Sequence, residues 1–534
     1  MPEAVPTATS NATTATFTEV GPVLIPDLES FPPTGEPKHA KLGSWDFYRS
    51  IGSPRRVVAP MVDQSELPWR ILSRRYGSDL VYTPMINAKL FVDENSKKKK
   101  VKYQEVNFNK EHGEEGSSTP IASLLSLQNN GEGSSSDSDR ALFVQFCSND
   151  AETLLKAAQV VEDRCDAVDL NLGCPQHIAR RGHYGSYLME DWPLIFNMIN
   201  TLHLNLKIPV TAKMRVYESV EKTIAYARLL ERAGAQIITV HGRTRNMKGH
   251  HTGLADWTKI RAVKQAVSVP VFANGNVLYP QDVSDALAAT GADGVMSAEG
   301  NLYNPAIFLP TLPREPSAMF PAAPALPFPS IARMAHEYLD IVSALHTPTQ
   351  SSAIKAHLFR LCRPALEVHR DLRETLGKSR FDASATGAQR IATYRAFVHE
   401  LEQRLEHDMV DAKWLTQPDP PLPGSVSFLT PAGEGGRPAY IPHWLAQPYF
   451  RPPLVTDEQQ GEGDKRARKE RVAESKRSNA KGGVPDGAQP VQIDDVQTQA
   501  ERKVARARSG SAERRGEDEA PAAPAVVEKR AKLE

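Results

Sequence analysis

The sequence predicts an α/β fold, a TIM (β/α)8 barrel, followed by a small all-α helical domain, with disordered N- and C-terminal extensions. Eight short apolar runs alternate with amphipathic stretches, which indicates parallel strands joined by crossover helices. Many of these runs are almost continuously apolar, as expected for strands that are covered on both faces. Polar residues follow nearly every run, which favours the barrel over a doubly wound sheet because a barrel site draws on many strands.

The predicted elements follow from the period of the apolar residues. The strands are Arg56–Met61, Leu80–Met85, Leu142–Cys147, Ala167–Leu172, Val210–Arg215, Ile237–His241, Pro270–Ala273 and Gly294–Ser297. Helical spacing fills most of the gaps between them. The predicted helices are Glu66–Tyr76, Ala151–Glu162, Val220–Ala233 and Trp257–Val267 in the barrel, and Ile331–Leu345, Ala353–Leu366 and Ile391–Leu405 beyond it.

Shifts in composition divide the 534-residue chain into five parts. Segments that are rich in Pro, Ser, Thr or charged residues and poor in aromatic residues bury too little apolar surface to fold, so we expect them to be disordered. The parts are a mostly disordered N-terminal arm over 1–50, a barrel over 51–315 with a low-complexity insertion at 93–140, a helical domain over 325–410, a Pro-rich extension over 411–454 and a disordered charged tail over 455–534.

Charge and cysteine content exclude several classes of protein. The 64 Lys and Arg residues balance 64 Asp and Glu residues, which excludes a uniformly basic coat for nucleic acid but not a local basic groove. The four cysteines lack CxxC pairing, so neither a zinc ribbon nor a disulfide scaffold is expected, and no metal site is predicted. The sequence contains no apolar run of about 18 residues, so no membrane span is predicted. We expect a monomer in the cytoplasm, the nucleus or both.

Basic residues in the predicted helical domain recur at three- or four-residue spacing, which puts several of them on one helix face. They are Lys355, His357, Arg360, Arg363, His369, Arg370, Arg373 and Lys378. A solvated surface is the simpler interpretation, but the excess of positive charge in this stretch favours a face that contacts phosphates.

The segment from Asp169 to Pro175 carries the most informative candidate residue. Asp169 and Asn171 alternate along one face of a predicted strand, and Gly173 and Pro175 shape the turn that follows. Pro175 restricts Cys174 to an extended backbone conformation. The thiol is therefore predicted on a fixed loop at the C-terminal mouth of the barrel, where barrel enzymes carry out chemistry. A lone cysteine is usually structural, but this setting makes Cys174 a candidate catalytic group.

Further polar residues end the other predicted strands. Residues two apart on a strand leave it on the same side, and small residues after a strand let backbone N–H groups approach a phosphate. The strand ends carry Gln145, Lys213 with Arg215, His241 with Arg243, Asn274-Gly275-Asn276, and Ala298-Glu299-Gly300. Each residue alone is a weak signal, but polar ends on five strands in order indicate one shared site.

These residues fall within longer motifs that are together highly specific. The motifs are Ala59-Pro60-Met61, Leu170-Asn171-Leu172-Gly173-Cys174-Pro175, Ala179-Arg180-Arg181-Gly182-His183-Tyr184-Gly185, Lys213-Met214-Arg215, His241-Gly242-Arg243-Thr244, Asn274-Gly275-Asn276, Ser297-Ala298-Glu299-Gly300 and His443-Trp444-Leu445-Ala446-Gln447-Pro448. With them, the sequence resembles the tRNA-dihydrouridine synthases, most closely the eukaryotic class that acts at positions 16 and 17 of the D-loop.

The resemblance implies a flavoenzyme that binds FMN, takes electrons from NADPH or NADH and reduces uridine in tRNA. The implied cofactor residues are Pro60, Met61 and Val62 behind the flavin ring, Gln145 at its pyrimidine edge, Lys213 beside N1 and the C2 carbonyl, His241 at the flavin or its phosphate side, and the backbone of Asn274, Gly275, Asn276, Ala298 and Glu299 around the phosphate. A cation beside N1 would stabilise the negative charge that reduction puts there.

The resemblance also implies the chemistry at the uracil. Reduced FMN would deliver hydride to C6 while Cys174 protonates C5, so the thiol acts as a general acid and needs to stay protonated near neutral pH. The uracil would leave its contacts within the tRNA to enter the pocket. The implied RNA contacts are Asn171, Arg215 and Arg243 at the uracil or adjacent phosphates, and Arg180 and Arg181 at the RNA backbone.

Two other functions fit part of the sequence. An FMN barrel that acts on a free pyrimidine explains the flavin motifs and Cys174, but not the basic run after Cys174 or the helical domain. A tRNA-binding protein with a vestigial redox site conflicts with the intact Cys174, Lys213 and His241. The sequence also departs from many bacterial members, which have Asn-Gly-Asp where it has Asn274-Gly275-Asn276 and Gly-Arg where it has Ala298-Glu299.

Overall fold

The computed structural model describes residues 24–93, 140–249, 252–309, 328–381, 384–411 and 441–449. The predicted charged tail over 455–534 lies outside these residues. So do all but the end residues of the predicted insertion at 93–140, and most of the predicted Pro-rich extension over 411–454.

Within the described ranges, nine parallel strands form one sheet. They are β1 (Arg56–Val58), β2 (Leu80–Tyr82), β3 (Ile86–Asn87), β4 (Leu142–Cys147), β5 (Ala167–Leu172), β6 (Val210–Arg215), β7 (Ile238–His241), β8 (Val271–Asn274) and β9 (Gly294–Ser297). The strand order is β2-β1-β9-β8-β7-β6-β5-β4-β3, and β2 also pairs with β4. That pairing closes eight strands into the predicted TIM barrel, and β3 is a two-residue addition beside the end of β4.

Two strands are shorter than predicted because proline interrupts their ladders. β1 ends at Val58 rather than Met61, and β2 ends at Tyr82 rather than Met85. Pro60 and Pro84 have no backbone N–H to donate to a neighbouring strand. The chain after β1 therefore leaves the sheet early and forms part of the barrel mouth.

Fifteen α-helices lie in the described ranges. They are α1 (Ser44–Ser50), α2 (Leu67–Arg75), α3 (Ala88–Phe91), α4 (Ala151–Val161), α5 (His177–Gly182), α6 (Trp192–Asn205), α7 (Val220–Arg232), α8 (Trp257–Ala266), α9 (Pro280–Thr290), α10 (Glu299–Tyr303), α11 (Ile331–Ala344), α12 (Ser351–Leu361), α13 (Arg363–Val368), α14 (Arg370–Lys378) and α15 (Gly387–Asp411). The starts of α4, α6, α7 and α8 are fixed by side chains that accept backbone N–H groups of the first turn. These side chains are Asp150, Asp191, Ser219 and Asp256. None of these helices has the length and apolar character needed to cross a bilayer.

Residues 24–50, the described part of the predicted N-terminal arm, include the helix α1. Phe47 of α1 is buried against Leu80 and other residues near the N-terminal ends of the strands. It stacks on Phe143 with the ring centroids 5.9 Å apart. The few aromatic residues of this segment are scattered among polar residues and prolines, so composition alone hides the apolar surface that they bury.

The helical region, α11 to α15, shares a continuous apolar core with α2 of the barrel. The predicted helix over Ala353–Leu366 is divided at Cys362, because Pro364 lies in the first turn of α13 and cannot donate a backbone hydrogen bond. α14 lies outside the predicted helix bounds, although its basic residues show helical spacing in the sequence. The segment 441–449 returns to this core and buries Trp444 and Ala446.

A buried ion pair connects the barrel to the helical region. His357 Nε2 lies 3.0 Å from Glu66 Oε2, and Tyr338 donates its hydroxyl hydrogen to Glu66 Oε1 at 2.7 Å. Trp69 stacks on the His357 ring with centroids 4.0 Å apart. Burial alone would raise the pKa of Glu66, but the charge and hydrogen bond of His357, together with the bond from Tyr338, lower it below its usual value.

The structure contradicts part of the predicted phosphate-contacting face. His357 has no exposed surface, so it cannot contact an RNA phosphate. The Lys355 ammonium donates to the carbonyl oxygens of Gly377 and Ser379 at 2.6 and 2.9 Å. Neighbouring helices cover His357, a burial that helix periodicity alone does not predict, whereas Lys355 is half-buried and uses its ammonium to bind the end of α14.

Candidate active site

Polar side chains from neighbouring strands meet at the C-terminal mouth of the barrel. Parallel strands in register bring residues of adjacent strands side by side, so the end of each strand delivers its side chain to one rim. The paired positions are Gln145 with Asp169, Asn171 with Lys213, Arg215 with His241, and His241 with Asn274. The predicted shared site is therefore assembled from β4 to β8.

Cys174 lies on a loop whose backbone is held at several points. Asn171 Oδ1 accepts N–H groups from Gly173 at 3.1 Å and from Cys174 at 2.9 Å. The backbone N–H and the hydroxyl of Ser186 both donate to the Cys174 carbonyl. Gly185 has φ +65°, and a Cβ there would lie 2.9 Å from Cys174 Cβ. Only glycine therefore allows this approach of the two loops without strain.

The Cys174 thiol stays protonated at neutral pH. Burial raises its pKa above the ordinary value for cysteine. The N–H of Gln176 and the charges of Arg215, Lys213 and Lys248 act in the opposite direction but do not outweigh burial. The site therefore presents a thiol that can donate a proton and nearby cations that can stabilise the thiolate left behind.

Arg215 links the Cys174 loop to the loop after β7. Its Nε donates to the Gly173 carbonyl at 2.7 Å, and Nη1 donates to the carbonyls of Thr244 and Met247 at 2.8 and 3.2 Å. Burial and the nearby Arg243 lower the pKa of Arg215 to about 10, so the side chain remains charged at neutral pH. The guanidinium holds two loops of the mouth together.

Gln145 and Asn171 form a hydrogen-bonded chain beneath the Cys174 loop. Asn171 Nδ2 donates to Gln145 Oε1 at 2.7 Å, and Gln145 Nε2 donates to Asp169 Oδ2 at 2.8 Å. Gln145 has no exposed surface. The structure thus places Gln145 where it orients Asn171, with its amide oxygen and amide nitrogen each bonded to a protein partner.

Lys213 is a buried cation at the centre of the mouth. Its side chain is 9% exposed, and its ammonium makes no hydrogen bond to any residue in the described part of the chain. Burial and the charge of Arg215 lower its pKa to about 8, against the opposing effect of Asp169 and Cys174. A buried ammonium of this kind favours a bound group that offers a hydrogen-bond acceptor and negative charge.

His241 is neutral and has a defined tautomer. Arg243 Nη1 donates to His241 Nε2 at 3.0 Å, which places the ring proton on Nδ1. Burial and the cations around it lower the pKa of His241 well below its usual value. Arg243 Nη2 also donates to Asn276 Oδ1 at 3.0 Å. Arg243, a predicted RNA contact, and Asn276, a predicted contact of the flavin phosphate, are therefore hydrogen-bonded to each other.

The ends of β8 and β9 present backbone rather than side chains. Gly275 has φ +115°, and a Cβ there would lie 2.6 Å from Ala255 Cβ, so only glycine fits. Asn274 Nδ2 donates to the Met296 carbonyl at 2.9 Å. Ala298 precedes the first turn of α10 and makes no side-chain cap hydrogen bond there.

The loop after β1 completes the mouth. Pro60 and Met61 are partly buried there, and Val62 is 55% exposed. The Ser65 hydroxyl accepts the Met61 N–H at 3.0 Å and fixes the turn. Exposed apolar surface at the rim of a polar pocket fits a flat aromatic ligand.

A basic rim flanks Cys174, formed by Arg180, Arg181, Arg245 and Lys248. Arg180 and Arg181 are exposed on α5, directly after the Cys174 loop. Sequence reasoning missed the other two. Lys248 Nζ donates to the Pro175 carbonyl at 3.1 Å, and Arg245 Nη1 donates to the Ser186 carbonyl at 3.4 Å. The sequence did contain a signal for Arg245 and Lys248, because both follow Arg243 in the loop after a predicted strand, where mouth residues are expected.

Comparison with known proteins gives one consistent family. Residues 57–398 match the family model described as Dihydrouridine synthase (Dus). The chain is 42% identical over 448 residues, 83% of its own length and 94% of the relative's, to the NAD(P)(+) tRNA-dihydrouridine(16/17) synthase of Saccharomyces cerevisiae. It is 41% identical over 413 residues to the corresponding "-like" protein of Mus musculus, covering 77% of this chain and 72% of that one. A Homo sapiens tRNA-dihydrouridine(20a/20b) synthase-like protein is 33% identical over 256 residues, 47% of this chain and 70% of the relative.

Proposed function

Because this chain belongs to the dihydrouridine synthase family, we propose that it reduces uridine to 5,6-dihydrouridine at positions 16 and 17 of the tRNA D-loop, with FMN as cofactor and NADPH or NADH as reductant. The observation that carries the proposal is Cys174, a protonated thiol on a fixed loop beside the buried ammonium of Lys213. The choice of positions 16 and 17 is supported by the relatives. The 16/17 synthase of Saccharomyces cerevisiae is 42% identical over 83% of this chain, whereas the 20a/20b relative is 33% identical over 47% of it. We further propose that the protein acts in the cytoplasm, the nucleus or both, since tRNA is present in both compartments.

The residues at the mouth fit FMN. Lys213 would hold the N1 and C2 carbonyl edge, because its buried ammonium has no protein acceptor in the described ranges. Met61 and Val62 would lie against the ring, and His241 would offer its Nδ1–H. The backbone around Gly275, where only glycine fits, would approach the phosphate. When bound, FMN supplies the hydride that reduces C6 of uracil.

The chain itself supplies the proton. Cys174 Sγ donates its proton to C5 of the uracil, and the two additions together convert the C5=C6 double bond into a single bond. The thiolate that remains is stabilised by the charges of Lys213, Arg215 and Lys248 until it is protonated again from solvent. Asn171 and Gln145 do not react; they keep the Cys174 backbone in position.

The basic rim would guide the RNA to this thiol. Arg180 and Arg181 are exposed and lie within seven residues of Cys174 in the chain, so they are placed to contact phosphates on either side of an extruded uridine. Asn171, Arg215 and Arg243 are occupied by bonds within the protein, and we assign them mainly to shaping the pocket.

The direct test compares tRNA with free pyrimidines. Purified protein, FMN and NADPH are incubated with dihydrouridine-free tRNA, uridine or orotate, and NADPH oxidation and reduced base are both measured. We expect NADPH oxidation together with dihydrouridine formation when tRNA is the substrate, and neither with uridine or orotate. Product from a free pyrimidine and none from tRNA would replace the proposal by the free-pyrimidine oxidoreductase.

Flavin binding should weaken as pH rises above about 8. The pKa of Lys213 lies near that value, so deprotonation removes the cation that faces the flavin, and the dissociation constant for FMN should rise by up to about tenfold per pH unit. Lys213→Met should bind FMN weakly and with little pH dependence above neutrality. Lys207→Met, which changes an exposed lysine before β6, should behave like the unmodified protein. A pH-independent affinity in the unmodified protein would remove Lys213 from the cofactor site.

Removing the two arginines of α5 should weaken tRNA binding without affecting the flavin. Arg180→Ala/Arg181→Ala should raise KM for tRNA by about tenfold and reduce the salt dependence of binding by about two phosphate contacts. The matched control is Arg164→Ala/Lys207→Ala, which removes two exposed cations at the opposite end of the barrel. Equal effects of the two pairs would show that only overall charge matters.

A further inference from the structure

Three side chains of the helical region converge on one point far along the chain from the barrel strands. His369 Nε2 and His443 Nε2 each lie 2.8 Å from the same atom, Asp408 Oδ2. The three candidate ligand atoms all lie within 4.8 Å of one another. Their side chains are 12 to 25% exposed, so the cluster is largely shielded from solvent.

The cluster joins three separate segments. His369 lies between α13 and α14, and Asp408 lies near the C-terminal end of α15. His443 belongs to the segment 441–449, which reaches this place only after the chain has left α15. No local turn or helix spacing brings these residues together, so their convergence is a product of the tertiary fold.

The partners of Asp408 make the cluster unusual for a simple ion pair. Among the described residues, the carboxylate pairs with these two imidazoles and with no lysine or arginine. Each imidazole points its Nε2 atom at the same carboxylate oxygen, Asp408 Oδ2. Two imidazole nitrogens and one carboxylate oxygen around a common point are a donor set that suits a borderline divalent cation.

We propose that His369, Asp408 and His443 bind a Zn²⁺ ion that fastens the segment 441–449 to the helical region. Ligand atoms at about 2.0–2.2 Å from zinc in a tetrahedron are roughly 3.3 Å apart, so side-chain shifts of about half an ångström open the cluster enough to hold the ion. Water completes the fourth position. Nitrogen and carboxylate donors favour zinc over Ca²⁺ and Mg²⁺, which prefer oxygen ligands.

The site has a structural role because its third ligand, His443, belongs to the segment 441–449. His443 precedes Trp444, whose carbonyl accepts the Ile331 N–H at 3.0 Å, and Ala446 donates its N–H to the Pro329 carbonyl at 2.8 Å. These bonds attach 441–449 beside the start of α11. A metal ion at His443 adds a strong anchor to a short segment that has few other bonds to the helices.

Zinc content tests the proposal directly. Full-length protein made without a polyhistidine tag should contain about one zinc per chain, and chelation should lower Tm by several degrees, restored by Zn²⁺ but not by Mg²⁺. Asp408→Asn keeps an oxygen for the imidazole hydrogen bonds but removes the anionic ligand, and it should lower zinc content to below about a tenth of an equivalent. His443→Ala should do the same. His399→Ala, on the same helix but outside the cluster, should keep its zinc.

Two results would overturn this assignment. One is zinc-free protein whose Tm does not respond to added Zn²⁺, since the three side chains then form only hydrogen bonds. The other is zinc that persists in Asp408→Asn and is lost in His399→Ala, which would put the ion elsewhere. Asp408→Asn preserves the hydrogen bonds, so the test holds even where His443→Ala fails to fold.

Discussion

Cys174→Ala should reduce the rate of dihydrouridine formation by about 100-fold or more. The variant loses the group that protonates C5, while the buried Lys213, the neutral His241 and the loop after β1 remain in place. FMN should therefore bind with an unchanged absorption spectrum, and NADPH should still reduce it at the normal rate. The measurement is single-turnover formation of dihydrouridine in tRNA, with flavin reduction followed separately by absorbance.

The matched control for this change is Cys147→Ala. Cys147 is buried in the same small cluster as Cys174, and burial raises its pKa far above the neutral range. Its removal should leave turnover close to that of the unmodified protein, because its thiol has no part in the proton transfer. Full turnover in Cys174→Ala would refute the assignment of the proton donor, and an equal loss in both variants would indicate a packing defect instead.

Glu66→Ala should destabilise the protein by about 3–5 kcal/mol, because it leaves His357 buried without its partner. Glu66 is 3% exposed and His357 is fully buried, so water cannot replace the lost bond. Tyr338 loses its acceptor in the same change. Since the pair connects α2 to the helical region, the measurement is the midpoint of denaturant unfolding, read at tryptophan fluorescence.

The pH dependence of stability gives an independent check on this pair. The pKa of Glu66 is lowered in the folded state, so its stabilising contribution is complete above the ordinary pKa of a glutamate and is lost as pH falls through the lowered value. Glu66→Ala should flatten that acid limb. The control is Glu374→Ala, which breaks an exposed pair with Lys378 and should change stability by less than about 1 kcal/mol. Equal destabilisation in the two variants would contradict a special role for the buried pair.

The barrel was predictable because its signals are local. Alternating apolar runs and helices mark the strands, and a polar residue directly after a strand lies at the mouth whatever the packing around it. That reasoning places Cys174, Lys213 and His241 together without any knowledge of tertiary contacts. The family motifs then imply flavin as cofactor and tRNA as substrate, which residue spacing alone does not.

Contacts between distant segments were not predictable from local pattern. Gln145 looks like a free amide at a strand end, yet its side chain is enclosed between Asp169 and Asn171 on the next strand. The sequence predicts His357 on a basic helix face, but the imidazole is paired with Glu66, which lies much earlier in the chain, at the start of α2 in the barrel. The packing of Phe47 on Phe143 is hidden for a similar reason, since average composition conceals single aromatic residues that pack on a distant segment.

The most direct test of the central claim maps dihydrouridine at single-nucleotide resolution in tRNA that lacks it. The tRNA is incubated with FMN, NADPH and either the unmodified protein or Cys174→Ala. We predict dihydrouridine at positions 16 and 17 with the unmodified protein and almost none with the variant. Bound and reducible flavin without dihydrouridine anywhere in the D-loop would contradict it.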